Sequence, residues 1–407
     1  MNTLPATATT SLPHSLSLYV HIPFCETKCP YCDFNTYAGI EQMMPAYVEA
    51  LVSEIERWGA ALSRPAVTTI FMGGGTPSYL PAHDLEAVLA AVRRAFGVMP
   101  DAEATMEANP GDLLRDRPAS LSRLGFNRLS IGVQSLDDGL LRLLGRRHTA
   151  QEAADAYRAV RRAGFENVNL DLMYGLPHQS MAQWRDTLDG ALALGPEHLS
   201  LYCLTLEEGT PMEQQVRLGA LPEPDGDLAA DMYLHAEETL AREGYRHYEI
   251  SNWARPGLES RHNLTYWRNG PFLGVGPGAH SYLGRWRFHN LASPREYVRS
   301  MAAAELAGAA PATLSEETLA SFPVMGGVEF LDVSLEMAET MMMGLRLDEG
   351  VSLASFESRF GRRMDAVFGE QLAELTGLGL LERDDSVVRL TARGRLLGNE
   401  VFLRFFG

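Results

Sequence analysis

Short runs typical of β-strands alternate with longer segments of helical periodicity through the first half of the chain. The strand-like runs fall at residues 16–22, 68–72, 105–107, 128–133, 168–173 and 199–204. Segments of helical periodicity lie between them, at residues 46–57, 84–96, 137–144, 150–163 and 180–194. Repeated alternation of this kind predicts parallel strands joined by crossover helices. Six units predict an α/β fold built on a partial (β/α)6 barrel.

Polar and glycine-rich segments follow directly after four of the predicted strands. They occupy residues 73–77, 107–110, 132–135 and 171–177. In a parallel β/α barrel the carboxyl ends of the strands share one rim, and functional sites are built there. We therefore expect these four segments to line one site.

A smaller second domain is predicted beyond the sixth unit, where the alternation fades. Residues 245–282 are expected to add strands and loops that close the barrel, and residues 302–317 to form a helix or connector. From residue 335 onwards, helical patterns, a hairpin near residues 377–390 and a last helix at 392–406 resemble a winged-helix module. The methionines at 341–343 fit the core of a helix better than a metal-ligating role. The predicted domains are residues 1–300 and 301–407.

The charge of the chain limits its partners. A formal net charge of −17 disfavours binding to nucleic acid or to an anionic membrane, because both are polyanions. The predicted wing itself carries Glu382, Asp384 and Asp385, which favours a structural role over DNA binding. Residues 1–17 do not resemble a secretory signal, and no later segment is apolar for long enough to span a bilayer. We expect a cytoplasmic protein without a membrane anchor.

Three of the 4 cysteines lie close together, directly after the first predicted strand. Cys25, Cys29 and Cys32 have the spacing C-x₃-C-x₂-C. Thiolate is the usual ligand of iron–sulfur clusters, so three cysteines on one loop can hold three corners of a [4Fe–4S] cluster. The fourth iron is then free to bind the amino and carboxylate groups of S-adenosylmethionine.

Other interpretations of these cysteines are less consistent with the sequence. A structural zinc site needs four ligands, and the only nearby candidate is His21, within the predicted strand. A disulfide would leave one cysteine over and would be unusual in a reducing compartment. Three unrelated buried cysteines at this density are improbable. The remaining cysteine, Cys203, lies in an apolar stretch and is predicted to be a buried small hydrophobic residue.

From about Tyr19 to its C-terminus the chain resembles the radical S-adenosylmethionine superfamily. Within it, the chain resembles the branch that contains oxygen-independent coproporphyrinogen III dehydrogenase and the haem chaperone HemW family. The resemblance implies a set of residues that bind S-adenosylmethionine, although each of them singly could be a surface or capping residue. No catalytic residue is assigned. The implied set is Tyr19, Tyr31, Gly74, Gly75, Thr76, Glu107, Gln134, Arg146 and Asp171.

Two departures from the dehydrogenase pattern favour the chaperone branch. Phe34 occupies a position that is a further cysteine in the dehydrogenases, and only 24 residues precede Cys25. In addition, residues 261–267 match the H-N-x-x-Y-W motif of the chaperone branch, which implies haem binding. A histidine beside aromatic residues is, however, more often a hydrogen-bonded packing residue. The implied haem-binding candidates are His262, Asn263, Tyr266 and Trp267, with His280 and His289 as rival ligands and Arg285 or Arg287 as partners of haem propionates.

The leading hypothesis is a haem chaperone that binds haem as cargo and transfers it to an acceptor protein of unknown identity. The cluster, with an electron donor of its own, and exchangeable S-adenosylmethionine would have a supporting or regulatory role. The alternative is a radical enzyme that oxidises two propionate side chains of coproporphyrinogen III to vinyl groups. A nucleic-acid regulator that uses the wing is contradicted by the charge.

Replacing Cys29 by serine or alanine is expected to remove the brown iron–sulfur chromophore and to leave much of the barrel folded. Metal ligation orders the loop that holds the ligands, and the barrel has its own core. Absorption spectra with iron and sulfide analysis measure the loss. Unchanged iron and sulfide content in the variant would refute the assignment.

Overall fold

Six parallel strands form the centre of the fold and pair in the order in which they occur along the chain. The structure is a computed structural model that describes residues 10–114, 117–304 and 313–406. All six strands predicted from the sequence are confirmed, and the third begins earlier than predicted. The strands are β1 (Ser15–Ile22), β2 (Ala66–Gly74), β3 (Gly97–Ala108), β4 (Arg128–Gln134), β5 (Val168–Tyr174) and β6 (His198–Cys203).

Crossover helices follow the strands, and local sequence fixes where several of them begin. Thr149 and Ser180 each form a capping box. The side chain of the capping residue accepts from the backbone N–H three residues later, and the Glu or Gln side chain at that later position accepts from the backbone N–H of the capping residue. Between β1 and β6 these helices are α1 (Met44–Ala61), α2 (Ala82–Ala95), α3 (Arg117–Leu124), α4 (Asp138–Leu143), α5 (Ala150–Arg162) and α6 (Met181–Leu194).

The chain then extends the sheet at both edges. On the β6 side β8 and β7 are added antiparallel, and on the β1 side β9 is parallel, followed by antiparallel β10, β11 and β12, which makes a 12-stranded sheet. The elements are α7 (Pro211–Arg217), α8 (Gly226–Arg242), β7 (Arg246–Glu249), β8 (Asn252–Ala254), α9 (Arg261–Trp267), β9 (Phe272–Val275), β10 (His280–Leu283), β11 (Trp286–Asn290), α10 (Pro294–Ala303), α11 (Glu316–Ala320) and β12 (Met325–Phe330).

The parallel strands curl into a partial barrel that α9 closes at the bottom. Side chains from β1 to β6 and from α9 line one cavity, which a flat sheet would not allow. Helix α9 is bound near the amino-terminal parts of the strands, where the Thr69 hydroxyl is hydrogen-bonded to His262 at 2.7 Å and Ser17 to Thr265 at 2.8 Å. The rim at the carboxyl ends of the strands is therefore the open end.

A second, smaller core lies at the C-terminus. It extends from Met337 to Phe405 and includes the buried Met341, as predicted for the methionine run. The main core continues to Val324, and β12 pairs with β11, so the barrel unit extends beyond the predicted boundary at residue 300. The predicted connector at 302–317 lies largely in residues 305–312, outside the described residues.

The predicted winged-helix resemblance is borne out by a small antiparallel sheet packed with helices. Its strand order is β13-β15-β14, and the predicted hairpin corresponds to β14 and β15. Among the residues that the structure describes, none of the helices combines the length and apolar character needed to cross a bilayer. The elements are α12 (Val333–Gly344), β13 (Val351–Ser352), α13 (Leu353–Phe360), α14 (Met364–Gly377), β14 (Leu381–Arg383), β15 (Val387–Leu390), α15 (Ala392–Leu396) and α16 (Gly398–Leu403).

Replacing Glu54 by alanine is expected to destabilise the barrel unit by about 3 kcal/mol. The buried Glu54 carboxylate of α1 accepts hydrogen bonds from the Gly276 N–H at 2.8 Å, the Asn290 amide at 2.6 Å and the Tyr297 hydroxyl at 2.6 Å. The variant would leave three buried donors unpaired. Urea unfolding measures the change. Glutamine at the same position keeps an acceptor and should cost less; an equal loss for both variants would contradict this explanation.

Candidate functional site

The cysteine loop leaves the end of β1 and is closed at its base by backbone hydrogen bonds. The Cys25 N–H donates to the Tyr37 carbonyl at 2.9 Å, and the Tyr37 N–H donates to the Pro23 carbonyl at 2.8 Å. Phe24 is buried and packs edge-on against Tyr47, with ring centroids 5.0 Å apart. The loop between these anchors presents Cys25, Cys29 and Cys32, all as free, half-buried thiols.

The glycine-rich segment after β2 is bound directly to this loop. The Gly75 N–H donates to the Ile22 carbonyl at 2.7 Å, and the Thr76 N–H donates to the Phe24 carbonyl at 2.8 Å. A Cβ atom at position 75 would lie 2.7 Å from both carbonyl oxygens, so only glycine permits this approach. The glycine-rich segment after β2 is thereby held against the cysteine loop.

A chain of polar contacts surrounds the sulfur atoms. The Thr76 hydroxyl donates to the Cys25 Sγ at 3.5 Å and accepts from the Asn109 amide at 3.1 Å. Arg146 donates to the Cys29 Sγ at 3.7 Å and to the Gly132 carbonyl at 2.7 Å, and it also donates to Asn109. The Arg146 Nε is buried without a hydrogen-bond partner among the described residues. Burial raises the pKa of the Cys25 and Cys32 thiols, and the thiolate is the form that binds iron.

The three cysteines open onto a cleft of about 400 Å³ at the rim of the barrel. Eight of the nine predicted S-adenosylmethionine residues line the same cleft; Tyr19 does not, because it points into the barrel below. Asn109 and Met173 also line the cleft and belong to segments predicted to contribute to the site. Sequence reasoning missed other lining residues, including Ser130, Tyr202 and Cys203, since they come from strands without a motif at that position. The prediction that Cys203 is buried is wrong: it is exposed in the cleft, because β6 ends there.

Two carboxyl groups face each other in the deep part of the cleft. The Glu107 Oε2 accepts the Gly74 N–H at 3.0 Å, and Asp171 accepts from the Ser130 hydroxyl at 3.0 Å and from the Asn169 amide at 2.8 Å. Burial, together with the nearby Asp171 carboxylate, raises the pKa of Glu107 to about 8. Burial also raises the pKa of Asp171. A cationic ligand would relieve this repulsion.

Gln134 enters the cleft through an irregular strand end. Its φ of 66° lies in the left-handed region, which costs energy for a residue with a side chain, and the register of β4 with β5 shifts at this point. Such a bulge re-aims a side chain at the end of a strand. The strained backbone therefore directs the Gln134 side chain into the cleft, which the segment 132–135 was predicted to line.

His21 is not available as a fourth metal ligand in this structure. Its Nε2 donates to the Asn35 carbonyl at 2.9 Å, so its Nδ1 accepts from the Tyr19 hydroxyl at 3.0 Å. Within the described ranges, no three His, Cys, Asp or Glu residues converge around a point that could hold one metal ion. Thiolates that each bind a different iron of a cubane need no such convergence. The donor set, three thiols facing one cleft beside Arg146, fits a [4Fe–4S] cluster.

The predicted haem-binding motif lies on α9, at the closed end of the barrel. His262 is buried, with its Nδ1 hydrogen-bonded to Thr69 at 2.7 Å and its Nε2 to the Tyr266 hydroxyl at 2.8 Å. Burial lowers the pKa of His262 to about 3, so the ring is neutral at physiological pH. Asn263 and Tyr266 line the cavity inside the barrel, and the Trp267 ring packs under the Arg346 guanidinium at 4.5 Å. Neither nitrogen of His262 is free for iron in this conformation.

The rival histidines lie at the surface. His280 of β10 is exposed and stands opposite His289 of β11, with ring centroids 5.1 Å apart. Arg287 is engaged by Glu339 at 2.6 Å, and Arg285 by Glu336 at 3.3 Å, both from α12. These two arginines, which were predicted to pair with haem propionates, therefore already form ion pairs with α12 of the C-terminal domain.

The fold and the cysteine-lined cleft define a protein of the radical S-adenosylmethionine superfamily. Residues 19–191 match the family described as the radical SAM superfamily, and residues 335–397 match the HemN C-terminal domain. The solved structure of coproporphyrinogen III oxidase (HemN) from Escherichia coli, a radical SAM enzyme, gives a TM-score of 0.80 at 25% identity, over 96% of this chain and 90% of that chain. Membership of this superfamily implies a [4Fe–4S] cluster and S-adenosylmethionine.

Within that superfamily the chain belongs to the HemW family. The heme chaperone HemW of Bacillus subtilis is 38% identical over 392 residues, which cover 96% of this chain and 99% of the relative. The protein of the same name from Lactococcus lactis is 38% identical, with 96% and 97% covered. The mouse protein named radical S-adenosyl methionine domain-containing protein 1, mitochondrial, is 39% identical, with 93% and 84% covered.

Binding of S-adenosylmethionine is expected to tighten as the pH rises towards about 8. Below this value the free protein holds a proton on Glu107, and a sulfonium ligand favours the carboxylate, so binding at neutral pH releases about one proton. Calorimetry in buffers of different ionisation enthalpy measures the proton release. Glu107→Gln should abolish this pH dependence; the same pH profile in both proteins would contradict the assignment.

Proposed function

We propose that this protein binds haem and passes it to an acceptor protein. The observation that carries the proposal is similarity along nearly the whole chain, both domains included, to relatives named heme chaperone HemW. Phe34 supports it: this side chain is 64% exposed at the mouth of the cleft, where the dehydrogenase pattern has a further cysteine. The acceptor is proposed as a protein, and a separate electron donor as the source of electrons for the cluster.

In this proposal Cys25, Cys29 and Cys32 hold the [4Fe–4S] cluster, and S-adenosylmethionine occupies the cleft beside it. A reduced cluster held there would be able to supply an electron to the sulfonium ligand. The chain's own groups would bind and orient that ligand. Backbone carbonyls of the glycine segment around Gly74 would accept from its amino group, and Glu107 and Asp171 would supply negative charge. Arg146 lies close to Cys29, where its positive charge would offset part of the negative charge of a thiolate-ligated cluster.

Two positions offer an imidazole for haem. The family motif favours His262, whose ligation would require α9 to release the bond to Thr69 or to Tyr266. Accessibility favours the His280–His289 pair, where the His280 side chain is exposed. Substitution of each histidine separates the two positions.

The second candidate function is oxidative decarboxylation of coproporphyrinogen III. It is favoured by the complete set of residues around the cleft and by the likeness to HemN. The two candidates predict different outcomes in one set of experiments.

The reconstituted full-length protein is expected to bind haem in a titration followed by absorption, and to leave coproporphyrinogen III unchanged under anaerobic, reducing conditions with S-adenosylmethionine. His262→Ala and the His280→Ala/His289→Ala double variant identify the position by loss of at least about tenfold in affinity. Formation of vinyl products would instead establish the enzyme, and unchanged haem affinity in all variants would exclude both positions.

The reduced, reconstituted protein is also expected to change its EPR spectrum when S-adenosylmethionine is added, because a ligand bound at a cluster iron without a cysteine would alter the electronic environment of the cluster. Cys203→Ser is the matched control, because Cys203 lines the cleft outside the proposed ligand loop and its loss should leave the cluster signal intact. A spectrum that does not respond to the ligand would remove the basis of the cofactor assignment.

A further inference from the structure

Two histidines lie directly opposite each other on the strands that extend the sheet beyond β1 and β9. His280 is the first residue of β10 and is paired with His289 of β11 in the antiparallel ladder. His280 is exposed and His289 is half-buried. Opposite side chains on one face of an antiparallel pair are close enough to contact each other. We call these two residues the histidine pair.

The separation of the two rings is the one that a shared metal ion requires. Their centroids lie 5.1 Å apart, and their planes are inclined at 33°. Two imidazoles that bind one ion at about 2.1 Å in tetrahedral geometry have centroids about 5 Å apart. Two imidazoles on opposite faces of a haem iron would lie farther apart, because the macrocycle is between them. The spacing therefore favours a single small ion bound by both rings over haem bound between them.

The ring of His289 is held so that one nitrogen is free to act as a ligand. Its Nδ1 donates to the Asn290 carbonyl at 3.2 Å, because a carbonyl oxygen can only accept. The Nε2 then carries the lone pair, and it has no hydrogen-bond partner among the described residues. Metal-ligating histidines are commonly oriented by this kind of bond from the second ring nitrogen to a backbone carbonyl. His289 therefore has the orientation of a ligand before any ion binds.

Two glycines of β12 make room for this ring. The register of β11 with β12 shifts between His289 and Asn290, which leaves Gly326 as the extra residue of a β-bulge. A Cβ atom at Gly326 would lie 2.8 Å from the His289 Nδ1, and a Cβ atom at Gly327 would lie 2.6 Å from the Nε2. A side chain at Gly327 would therefore displace the ring or cover its free nitrogen.

The surroundings of the histidine pair are compatible with a cation. Neither ring nitrogen of His280 is hydrogen-bonded to any residue within 10–114, 117–304 or 313–406. Arg287, two residues before His289 and on the same face of β11, forms an ion pair with Glu339 at 2.6 Å. Its charge is therefore offset by a carboxylate. The formal net charge of −17 also favours the approach of a cation to this protein.

We propose that His280 and His289 bind one divalent transition-metal ion of the type of Zn²⁺, with water at its remaining positions. Imidazole nitrogen is a usual ligand of Zn²⁺, and a site with fewer than four protein ligands keeps open positions for water. Because only two side chains hold it, the ion is exchangeable. The proposal depends neither on haem transfer nor on the [4Fe–4S] cluster.

Calorimetric titration of the reconstituted full-length protein with ZnCl₂ tests the histidine pair. His280→Ala and His289→Ala are each expected to weaken binding at this site by at least about tenfold, because each removes one of two protein ligands. Zn²⁺ bound by thiols elsewhere contributes equally to all the proteins that are compared. His83→Ala is the matched control: this side chain is 80% exposed on α2, and its loss should leave the titration unchanged. Titrations of both variants that match wild type would overturn the proposal.

Gly327→Ala tests the geometry of the site and keeps both imidazoles. The added Cβ would meet the His289 Nε2, so binding should weaken as it does in His289→Ala. Gly369→Ala is the matched control, since no atom lies within 4 Å of a Cβ atom at that position, and it should bind Zn²⁺ as wild type does. Undiminished binding by Gly327→Ala would contradict the assignment of Nε2 as a ligand.

The position of the ion must also be observed, because thiols bind Zn²⁺ as well. Crystals soaked in ZnCl₂ are expected to show an anomalous peak at the zinc absorption edge between the rings of His280 and His289. A peak confined to the cysteines would overturn the proposal. Failure of the cluster assignment would not move the peak from the histidine pair, so the two failures can be distinguished.

Discussion

The site depends on two backbone hydrogen bonds that fasten the segment after β2 to the exit of β1. They join the N–H groups of Gly75 and Thr76 to the carbonyls of Ile22 and Phe24. Through them the cysteine loop, the glycine segment and the end of the sheet become one rigid unit. Without this contact the thiols would sit on a loop of a dozen residues held only at its base. The absence of a side chain at position 75 is therefore as important to the site as the presence of the sulfur atoms.

Much of the fold follows from local patterns. The six parallel strands could be predicted because each is a buried apolar run followed by a helix, and the hairpin of the C-terminal domain because glycine and acidic residues bracket two short strands. The edge strands β7 to β12 could not be predicted in detail. They are three to six residues long and contain glycine, histidine and arginine, so their existence depends on pairing with strands distant in sequence.

The candidate site was likewise predictable from the sequence only in part. The cysteines and the glycine segment are contiguous motifs whose chemistry is visible in the sequence, and the structure brings them together in one cleft. Burial of His262 could not be predicted from the sequence, because a short helix with His, Tyr and Trp has the same sequence pattern whether it faces solvent or closes a barrel. Arg128 was also missed. It looks like an ordinary first residue of a strand, and only curling of the sheet reveals that it faces an enclosed volume.

A second cavity of about 190 Å³ lies inside the barrel below the cleft, and the two cavities share a wall of side chains. Ligands bound in both would therefore be thermodynamically linked. Glu107 and Asp171 present one face to each side, so a ligand that alters their charge or position on one side changes the free energy of binding on the other. Linkage is reciprocal, so each occupant must change the affinity of the other by the same factor. A ligand inside the barrel would in this way change the affinity of the rim for its own ligand.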